Sequence, residues 1–375
     1  MKTKILFLIH DLAHGGAEKV LVNLVNNMDK TKYDITVMTL FDVGVNRQYL
    51  KKNIRYCYCF KKMFRGNSHI MKMWSPKQLH HRFIKEHYDI EVAYLEGPCA
   101  RIISGCPDPS TKLISWIHTE HYTKSQAAAS FRKYNEAKRC YNRFDKIVCV
   151  SESVKRRFAS LIDLKKVPCV LYNTNESNVI IRQSKEDVKN VNFLDSEIKL
   201  IMVGRLIKVK GVDRILRIIY RLKQENYPLH LYVLGEGAEE RKLRKYVRDY
   251  DLEKQVDFLG YQKNPYKYVA KCDLFVCSSY TEGFSTAATE ALIVGTPVCT
   301  VEVSGMKEML GSNNEFGVVT KNDDDALYRG IKCLLDDKQL LHHYKMKAEE
   351  RGKTFSTDNT VHAVEIMLDS LLIEG

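Results

Sequence analysis

The chain has 375 residues, and 45% of them are hydrophobic, so it is long enough to bury the cores of two domains of ordinary size. Its formal net charge of +13 at pH 7 favours an anionic partner, such as a phosphate group, a nucleic acid or a membrane surface. No apolar run approaches the ~20 residues of a membrane-spanning helix, which argues against a protein that crosses the membrane.

A short apolar strand is predicted over residues 4–9, followed by a polar loop that runs into an amphipathic helix over residues 19–28. Gly15 and Gly16 lie in this strand-to-helix turn, where the lack of a side chain permits a ligand to approach the backbone closely. A plain flexible turn is the alternative. The apolar run is too short for a signal peptide, and no small-residue cleavage site follows it.

Residues 47–87 are strongly basic, and Glu86 is the one acid among them. Apolar and aromatic side chains are interleaved with the cations, which include Lys51, Lys52, Lys61, Lys62 and Arg65. Such a face suits an anionic membrane leaflet, with roughly 1 kcal/mol of attraction per cation near the surface. A solvated basic surface is one alternative. Nucleic acid is another, but no zinc-finger, RNP or helix-turn-helix pattern supports it.

A strand that begins at Lys112 is predicted to end at His118. Ligands of open α/β sheets collect beyond the carboxyl ends of the strands, so a histidine at this position is well placed to meet one. A hydrogen-bonded histidine with a structural role is the alternative. Glu120 follows with no role that the pattern specifies, and we expect His80 and His121 to lie at the surface.

Strands and helices alternate along nearly the whole chain, which predicts βαβ units and parallel sheets. A first Rossmann-like domain is predicted over residues 1–180, a second over residues 181–355, and a final helical segment over residues 356–375. The polar stretch of residues 173–195, rich in Asn, Ser, Lys and Glu, is predicted to link the two domains.

The second domain begins with a strand, a glycine and a basic loop. Gly204 permits a tight turn out of the strand, and Arg205 and Lys210 lie in the loop before a helix that starts near Gly211. Two cations and free amides at the start of a helix can neutralise a diphosphate, although solvated loop charges are the alternative. The later Gly235-Glu-Gly237 turn lacks the third glycine of a dinucleotide fingerprint, which disfavours an NAD-dependent dehydrogenase.

Two carboxylates, Glu282 and Glu290, lie eight positions apart around the start of a helix that follows a predicted buried strand. The amides of Gly283, Phe284 and Ser285 would face a phosphate at the positive end of the helix dipole. Two acids beside a phosphate suit a nucleotide-sugar, because one can bind hydroxyls while the other faces the transferred sugar. Ordinary solvated glutamates are the alternative.

The spacing of Glu282 and Glu290 resembles the Glu-x7-Glu motif of retaining glycosyltransferases of family four, which have the GT-B fold. The pattern around Arg205 and Lys210 is similar to the donor-phosphate motif of the same family, and the blocks occur in the family's order. The Gly-Gly-Ala-Glu segment at Gly15 and the Trp-Ile-His segment at His118 look most like bacterial capsule and surface-polysaccharide transferases.

The resemblance implies an α/β protein of two facing Rossmann-like domains with an interdomain cleft, and a C-terminal helix that packs back on the first domain. It implies transfer of a sugar from a nucleotide-sugar, expected to be a UDP-sugar, to a saccharide acceptor, expected to be lipid-linked, with retention at the anomeric carbon. The catalytic residues would be His118 and Glu282. The donor-binding residues would be Gly15, Gly16, Arg205, Lys210, Gly283, Phe284, Ser285 and Glu290.

No metal ion or cofactor is expected, because Arg205, Lys210 and helix N-termini would hold the diphosphate and no Asp-x-Asp pair lies in such a loop. The 11 cysteines lack any Cys-x-x-Cys spacing and are typical of reduced thiols in a cytosolic protein. We therefore expect a cytoplasmic enzyme of cell-surface polysaccharide synthesis, bound peripherally to anionic lipid of the inner leaflet. A nucleotide-sugar 2-epimerase of the same fold and a basic nucleic-acid-binding protein are the alternatives.

Overall fold

The computed structural model describes residues 2–13 and 15–373. The chain divides into two compact units, unit 1 from Met1–Asn175 with Thr357–Gly375 and unit 2 from Glu176–Ser356. The division lies a few residues before the boundary that the sequence predicts after Ile180.

Unit 1 is built on a seven-stranded sheet, counted over its described residues, with the order β3-β2-β1-β4-β5-β6-β7. Each neighbouring pair is parallel. The strands are β1 (Thr3–Ile9), β2 (Tyr33–Phe41), β3 (Arg55–Phe60), β4 (Ile90–Ala93), β5 (Lys112–Ile117), β6 (Lys146–Cys149) and β7 (Cys169–Val170). The strand order reverses between β1 and β4, and the crevice beyond the carboxyl ends of these strands is where open α/β sheets bind ligands.

The helices of unit 1 that precede residue 176 are α1 (Gly16–Asn27), α2 (Asn67–Met73), α3 (Pro76–Phe83), α4 (Pro98–Ile103), α5 (Lys124–Ala127), α6 (Tyr134–Tyr141) and α7 (Glu152–Leu161). The start of α3 shows why the sequence folds locally as it does. Ser75 accepts the backbone N–H of Gln78, and the Gln78 side chain accepts the backbone N–H of Ser75, with Pro76 in the first turn.

Unit 2 is built on a six-stranded parallel sheet, counted over its described residues, with the order β10-β9-β8-β11-β12-β13. The strands are β8 (Ile198–Val203), β9 (Leu229–Leu234), β10 (Val256–Gly260), β11 (Leu274–Cys277), β12 (Val298–Val301) and β13 (Val318–Thr320). The order reverses between β8 and β11, so the loops that leave these two strands flank the switch point of the sheet.

The helices of unit 2 are α8 (Ser177–Ser184), α9 (Val212–Gln224), α10 (Glu240–Asp249), α11 (Tyr266–Val269), α12 (Thr286–Ile293), α13 (Met306–Leu310), α14 (Asp324–Asp336) and α15 (Lys338–Gly352). The predicted linker thus contains α8, which packs against α11 and α12. The sequence did not predict this helix because the stretch is mostly polar. Ile180 is buried, but most of its neighbours are partly exposed or exposed, so no apolar helical face is visible in the sequence.

The last helix, α16 (Thr357–Ile373), belongs to unit 1. Its Asp369 accepts the hydroxyl of Tyr33 at 2.5 Å, and its Glu365 accepts the backbone N–H of Asp29 at 2.6 Å. Over the described ranges, no helix combines the length and the apolar character that a membrane crossing requires.

Candidate active site

Most of the predicted donor-binding residues lie on two loops of unit 2 that flank its switch point. The β8–α9 loop (residues 204–211) carries Arg205 and Lys210, and the β11–α12 loop (residues 278–285) carries Glu282 with the three residues that follow it. The two strands that lead into these loops are neighbours in the sheet. The structure therefore brings the two predicted motifs to one place.

Gly211 holds the two loops close together. Its φ is +64°, and a Cβ at this position would lie 2.1 Å from the backbone oxygen of Ser278. The Ser278 hydroxyl donates to the backbone oxygen of Gly211 at 2.9 Å. Only glycine permits both the left-handed backbone and this approach.

Lys210 and Glu282 form a direct ion pair. The Lys210 Nζ lies 2.6 Å from Glu282 Oε1, and the hydroxyl of Ser279 donates to the same oxygen at 2.7 Å. The Glu282 side chain is only 10% exposed, so water screens this pair weakly. The predicted diphosphate cation and the predicted catalytic acid are thus in contact with each other.

Arg205 lies at the surface of the β8–α9 loop. Among the residues that the structure describes, its guanidinium has no hydrogen-bond or ion-pair partner. Lys210, in contrast, is paired with Glu282. The planar guanidinium of Arg205 carries five N–H donors, and their arrangement suits the oxygens of a phosphate group.

The start of α12 places the remaining predicted donor-binding residues. Ser285 caps the helix, and its hydroxyl accepts the backbone N–H of Ala288 at 3.3 Å. Phe284 is buried against Phe355, with ring centroids 5.9 Å apart. Glu290 is also buried and accepts the hydroxyl of Tyr266 at 3.3 Å. The two glutamates of the motif therefore have different neighbours.

Arg214 contacts the β11–α12 loop through Ser278 and Tyr280, a role that the sequence did not indicate. Its guanidinium donates to Asp324 and to Asn322, both at 2.8 Å, and lies 4.4 Å from the ring centre of Tyr280. In the sequence, Arg214 is one of several cations close to the basic loop, and nothing local distinguishes it from the others. Only the structure shows that it is buried.

In unit 1, His118 lies directly after β5, as predicted. Its Nε2 atom is buried and has no hydrogen-bond partner in the described residues. Burial lowers the pKa of His118 to about 4, although the nearby carboxylate of Glu96 and the backbone of Tyr94 act in the opposite direction. The imidazole is therefore neutral at pH 7.

Gly15 and Gly16 lie at the carboxyl end of β1, next to the switch point of unit 1. Gly15 precedes α1, and a Cβ there would lie 1.8 Å from a carboxylate oxygen of Glu18. The Glu18 carboxylate is the end of a flexible side chain and could move aside, and the φ of Gly15 is −117°, so neither feature restricts this position to glycine.

Glu96 is a residue of this region that the sequence analysis missed. It follows β4, and its Oε2 accepts the backbone N–H of His118 at 2.9 Å. Its Oε1 lies 3.9 Å from Nε2 of His121, whose side chain is 16% exposed, so the expectation that His121 lies freely at the surface was wrong. The sequence analysis predicted no strand before Glu96, so its place just beyond β4 became visible only in the structure.

One group of three described side chains could hold a metal ion, and it lies in unit 1. The ligand atoms of His80, Glu91 and Cys106 all lie within 4.8 Å of one another, and all three residues are buried. The expectation that His80 lies at the surface was therefore wrong, because α3 turns this side chain towards β4. His80 Nε2 contacts the Glu91 carboxylate at 2.8 Å.

The buried neighbours of His80 also determine the direction of its pKa shift. Burial lowers the pKa, but hydrogen bonds with Cys106 and Glu91 outweigh it and raise the value to about 9. His80 is therefore protonated at neutral pH and forms a buried ion pair with Glu91.

Comparisons with known proteins agree with these two units. Residues 14–174 match the family model for Glycosyltransferase Family 4, and residues 183–351 match that for group 1 glycosyl transferases. The crystal structure of Anabaena HepE in complex with UDP aligns with a TM-score of 0.77 at 18% identity, covering 99% of this chain and 100% of that chain. The fold and the matches define a glycosyltransferase with the GT-B fold. The chain belongs to glycosyltransferase family four.

Two relatives carry names that describe their reactions. A Campylobacter jejuni protein named N-acetylgalactosamine-N,N'-diacetylbacillosaminyl-diphospho-undecaprenol 4-alpha-N-acetylgalactosaminyltransferase is 36% identical over 188 residues, which are 50% of this chain and 49% of that protein. The amylovoran biosynthesis glycosyltransferase AmsK of Erwinia amylovora is 28% identical over 167 residues, which are 42% of this chain and 41% of that protein. The chain thus aligns with about half of each relative.

Proposed function

We propose that the protein transfers a sugar from a UDP-sugar to a saccharide acceptor, with retention at the anomeric carbon, in the synthesis of cell-surface polysaccharide such as capsule. This proposal is supported by the contact of Lys210 with Glu282, together with the exposed Arg205 of the same β8–α9 loop, whose guanidinium has no partner among the described residues. The Campylobacter relative, named for a diphospho-undecaprenol substrate, supports a lipid-linked acceptor. AmsK supports polysaccharide synthesis, and the UDP bound to HepE supports a uridine donor.

In this proposal the donor diphosphate binds at the switch point of unit 2. Arg205 and Lys210 supply two positive charges, and the start of α12 supplies the positive end of a helix dipole at Gly283, Phe284 and Ser285. These groups stabilise the negative charge that develops on the nucleotide as the glycosidic bond breaks. They supply the charge for which other enzymes use a metal ion, so we propose a reaction without a metal ion or cofactor.

Glu282 and His118 would act at the transferred sugar. The Glu282 carboxylate is held in place by Lys210 and Ser279 and can accept sugar hydroxyls through its remaining oxygen. The neutral imidazole of His118 can exchange a hydrogen bond with a hydroxyl through Nε2, which has no partner in the described residues. Gly15 and Gly16 would allow the backbone to approach the donor phosphates.

Glu290 would bind the ribose hydroxyls of the nucleotide. We expect Glu290→Ala to weaken UDP binding ten- to hundredfold, since a hydrogen bond to a charged group contributes about 1.5–3 kcal/mol. Isothermal titration with UDP measures this loss. Glu302→Ala is the matched control, because Glu302 lies in the same unit and its exposed side chain pairs, among the described residues, only with Lys307 at 2.7 Å. Unchanged UDP affinity in a folded Glu290→Ala protein would contradict the assignment.

The basic stretch of unit 1 supports a cytoplasmic enzyme that binds the inner face of the membrane peripherally. Five of its cations are all exposed, namely Lys51, Lys52, Lys61, Lys62 and Arg65. Apolar side chains accompany them at the surface, since Met63 is 52% and Met73 is 74% exposed. Cations together with exposed apolar groups suit an anionic lipid surface better than either feature alone.

We expect the protein to co-sediment with vesicles that contain phosphatidylglycerol and not with phosphatidylcholine vesicles. High salt should release it, because the screening length falls from about 10 Å at 0.1 M to about 3 Å at 1 M. Reversal of the five cations to Glu should abolish sedimentation. Reversal of the exposed Arg241, Lys242 and Lys245 on α10 of unit 2 should not. Equal binding to both vesicle types would contradict this proposal, and binding to RNA or DNA alone would favour the nucleic-acid alternative.

A further inference from the structure

Glu96 lies where the chain leaves the sheet of unit 1 at its switch point. It follows β4, the strand between β1 and β5, and its side chain is only 13% exposed. Its Oε2 accepts the backbone N–H of His118 at 2.9 Å. His118 is the first residue after β5, so this bond ties the end of one strand to the end of its neighbour.

The same segment also supports the imidazole ring of His118. The ring of Tyr94 lies 4.9 Å from it, centroid to centroid, with the two ring planes tilted by 53°. The Nε2 atom of His118 is buried and has no partner among the described residues. The direction in which Nε2 points is therefore set by Tyr94 and by the backbone that Glu96 holds.

We propose that Glu96 is a positioning residue, which holds the backbone of His118 so that Nε2 meets the sugar. This inference rests on the role of His118 in the proposed function. A charge-assisted hydrogen bond is shorter and stronger than a neutral one, which suits a carboxylate with this task. A displacement of about 1 Å in a reacting group can lower a rate by roughly a hundredfold.

Among the described residues, this bond is the one hydrogen bond of the Glu96 carboxylate. The Nε2 atom of His121 lies 3.9 Å from Oε1, which is too far for a hydrogen bond. The hydroxyl of Tyr141 points to the neighbouring residue, where it accepts the backbone N–H of Gly97 at 3.4 Å. Removal of the carboxylate would therefore act first on His118.

The test compares Glu96→Ala with Glu96→Gln. The probe is UDP release from UDP-glucose, UDP-N-acetylglucosamine or UDP-N-acetylgalactosamine, whichever the wild-type protein turns over fastest. We expect Glu96→Ala to lower kcat roughly ten- to hundredfold with little change in KM for the donor. Glu96→Gln should recover most of kcat, because an amide oxygen can accept the same N–H. Glu96→Asp, one methylene shorter, should not.

The matched control is Asp145→Ala. Asp145 Oδ2 accepts the backbone N–H of Leu113 at 2.9 Å, near the opposite end of the same strand β5. Its loss removes a bond of the same kind from the same strand, so Tm should fall while kcat stays near the wild-type value. An equal loss of kcat in both alanine variants would overturn the inference, because the effect would then be general weakening of β5.

A double variant shows whether Glu96 acts through His118. If it does, Glu96→Ala combined with His118→Ala should be no slower than His118→Ala alone. A further loss of kcat in the double variant would overturn the inference. So would full activity of Glu96→Ala or Glu96→Asp beside an impaired His118→Ala. A fully active His118→Ala would instead contradict the proposed function of His118, and the inference with it.

Discussion

Replacement of Lys210 by alanine is expected to lower turnover of the nucleotide-sugar by about 10²–10³-fold, the loss typical when one preorganised group that stabilises developing charge is removed. Arg205→Ala should act in the same direction, because both cations face the departing diphosphate in the proposed function. UDP release under saturating donor measures the effect. The free energy of unfolding is measured beside it, because Lys210 also neutralises the carboxylate of Glu282.

Lys208 offers a matched control for this experiment. It lies two residues before Lys210 in the same loop, but its Nζ pairs with Asp213 at 2.7 Å and its side chain is 60% exposed. We expect Lys208→Ala to keep near wild-type turnover. Glu282→Gln breaks the ion pair but keeps the positive charge of Lys210. Its free energy of unfolding therefore shows how much of the stability change in Lys210→Ala comes from the lost pair. A folded Lys210→Ala protein with normal turnover would refute the assignment of this cation.

Replacement of His118 by alanine is expected to lower kcat by about 10²-fold or more, the contribution typical of a side chain that exchanges a proton or a hydrogen bond with the reacting group. His87→Ala is the control, because His87 lies in the same unit with a side chain 56% exposed, and its ion-pair partners among the described residues are the surface acids Asp89 and Asp108. Comparable activity of the two variants would rule out a role for His118 in turnover.

The pH dependence of stability provides a second readout for His118. Burial lowers its pKa to about 4 in the folded protein, below the value of about 6.5 expected in the unfolded chain. Between these two values the unfolded chain binds the proton and the folded protein does not, so folding stability is lost as the pH falls from about 6.5 towards 4. Urea unfolding should show a smaller loss over this range in His118→Ala than in the wild type.

The sequence was sufficient to predict the architecture because each feature involved is local. Continuous apolar runs such as those of β1 and β11 mark the strands of parallel sheets, and glycines or polar residues mark the turns that follow them. The α8 helix was missed because it lacks such a local signal. Ile180 is its one buried apolar residue, and one such residue in a polar stretch gives no helical periodicity.

Contacts within the candidate site could not be predicted in the same way, because they depend on which strands are neighbours. Lys210 and Glu282 are 72 residues apart and meet only because β8 lies next to β11. The bond between Glu96 and His118 likewise needs the pairing of β4 with β5. The burial of His80 needs α3 to pack over β4, which no local pattern in that basic stretch reveals.

In the proposed function, unit 2 binds a nucleotide-sugar and the protein transfers the sugar without a metal ion. The most direct measurement is incubation with a panel of UDP-, GDP- and ADP-sugars, with and without EDTA, while nucleotide release and Tm are followed. We predict that UDP-sugars raise Tm and release UDP at the same rate in the presence of EDTA. The claim would be contradicted if no nucleotide-sugar raised Tm or was turned over, or if EDTA abolished turnover and magnesium or manganese restored it.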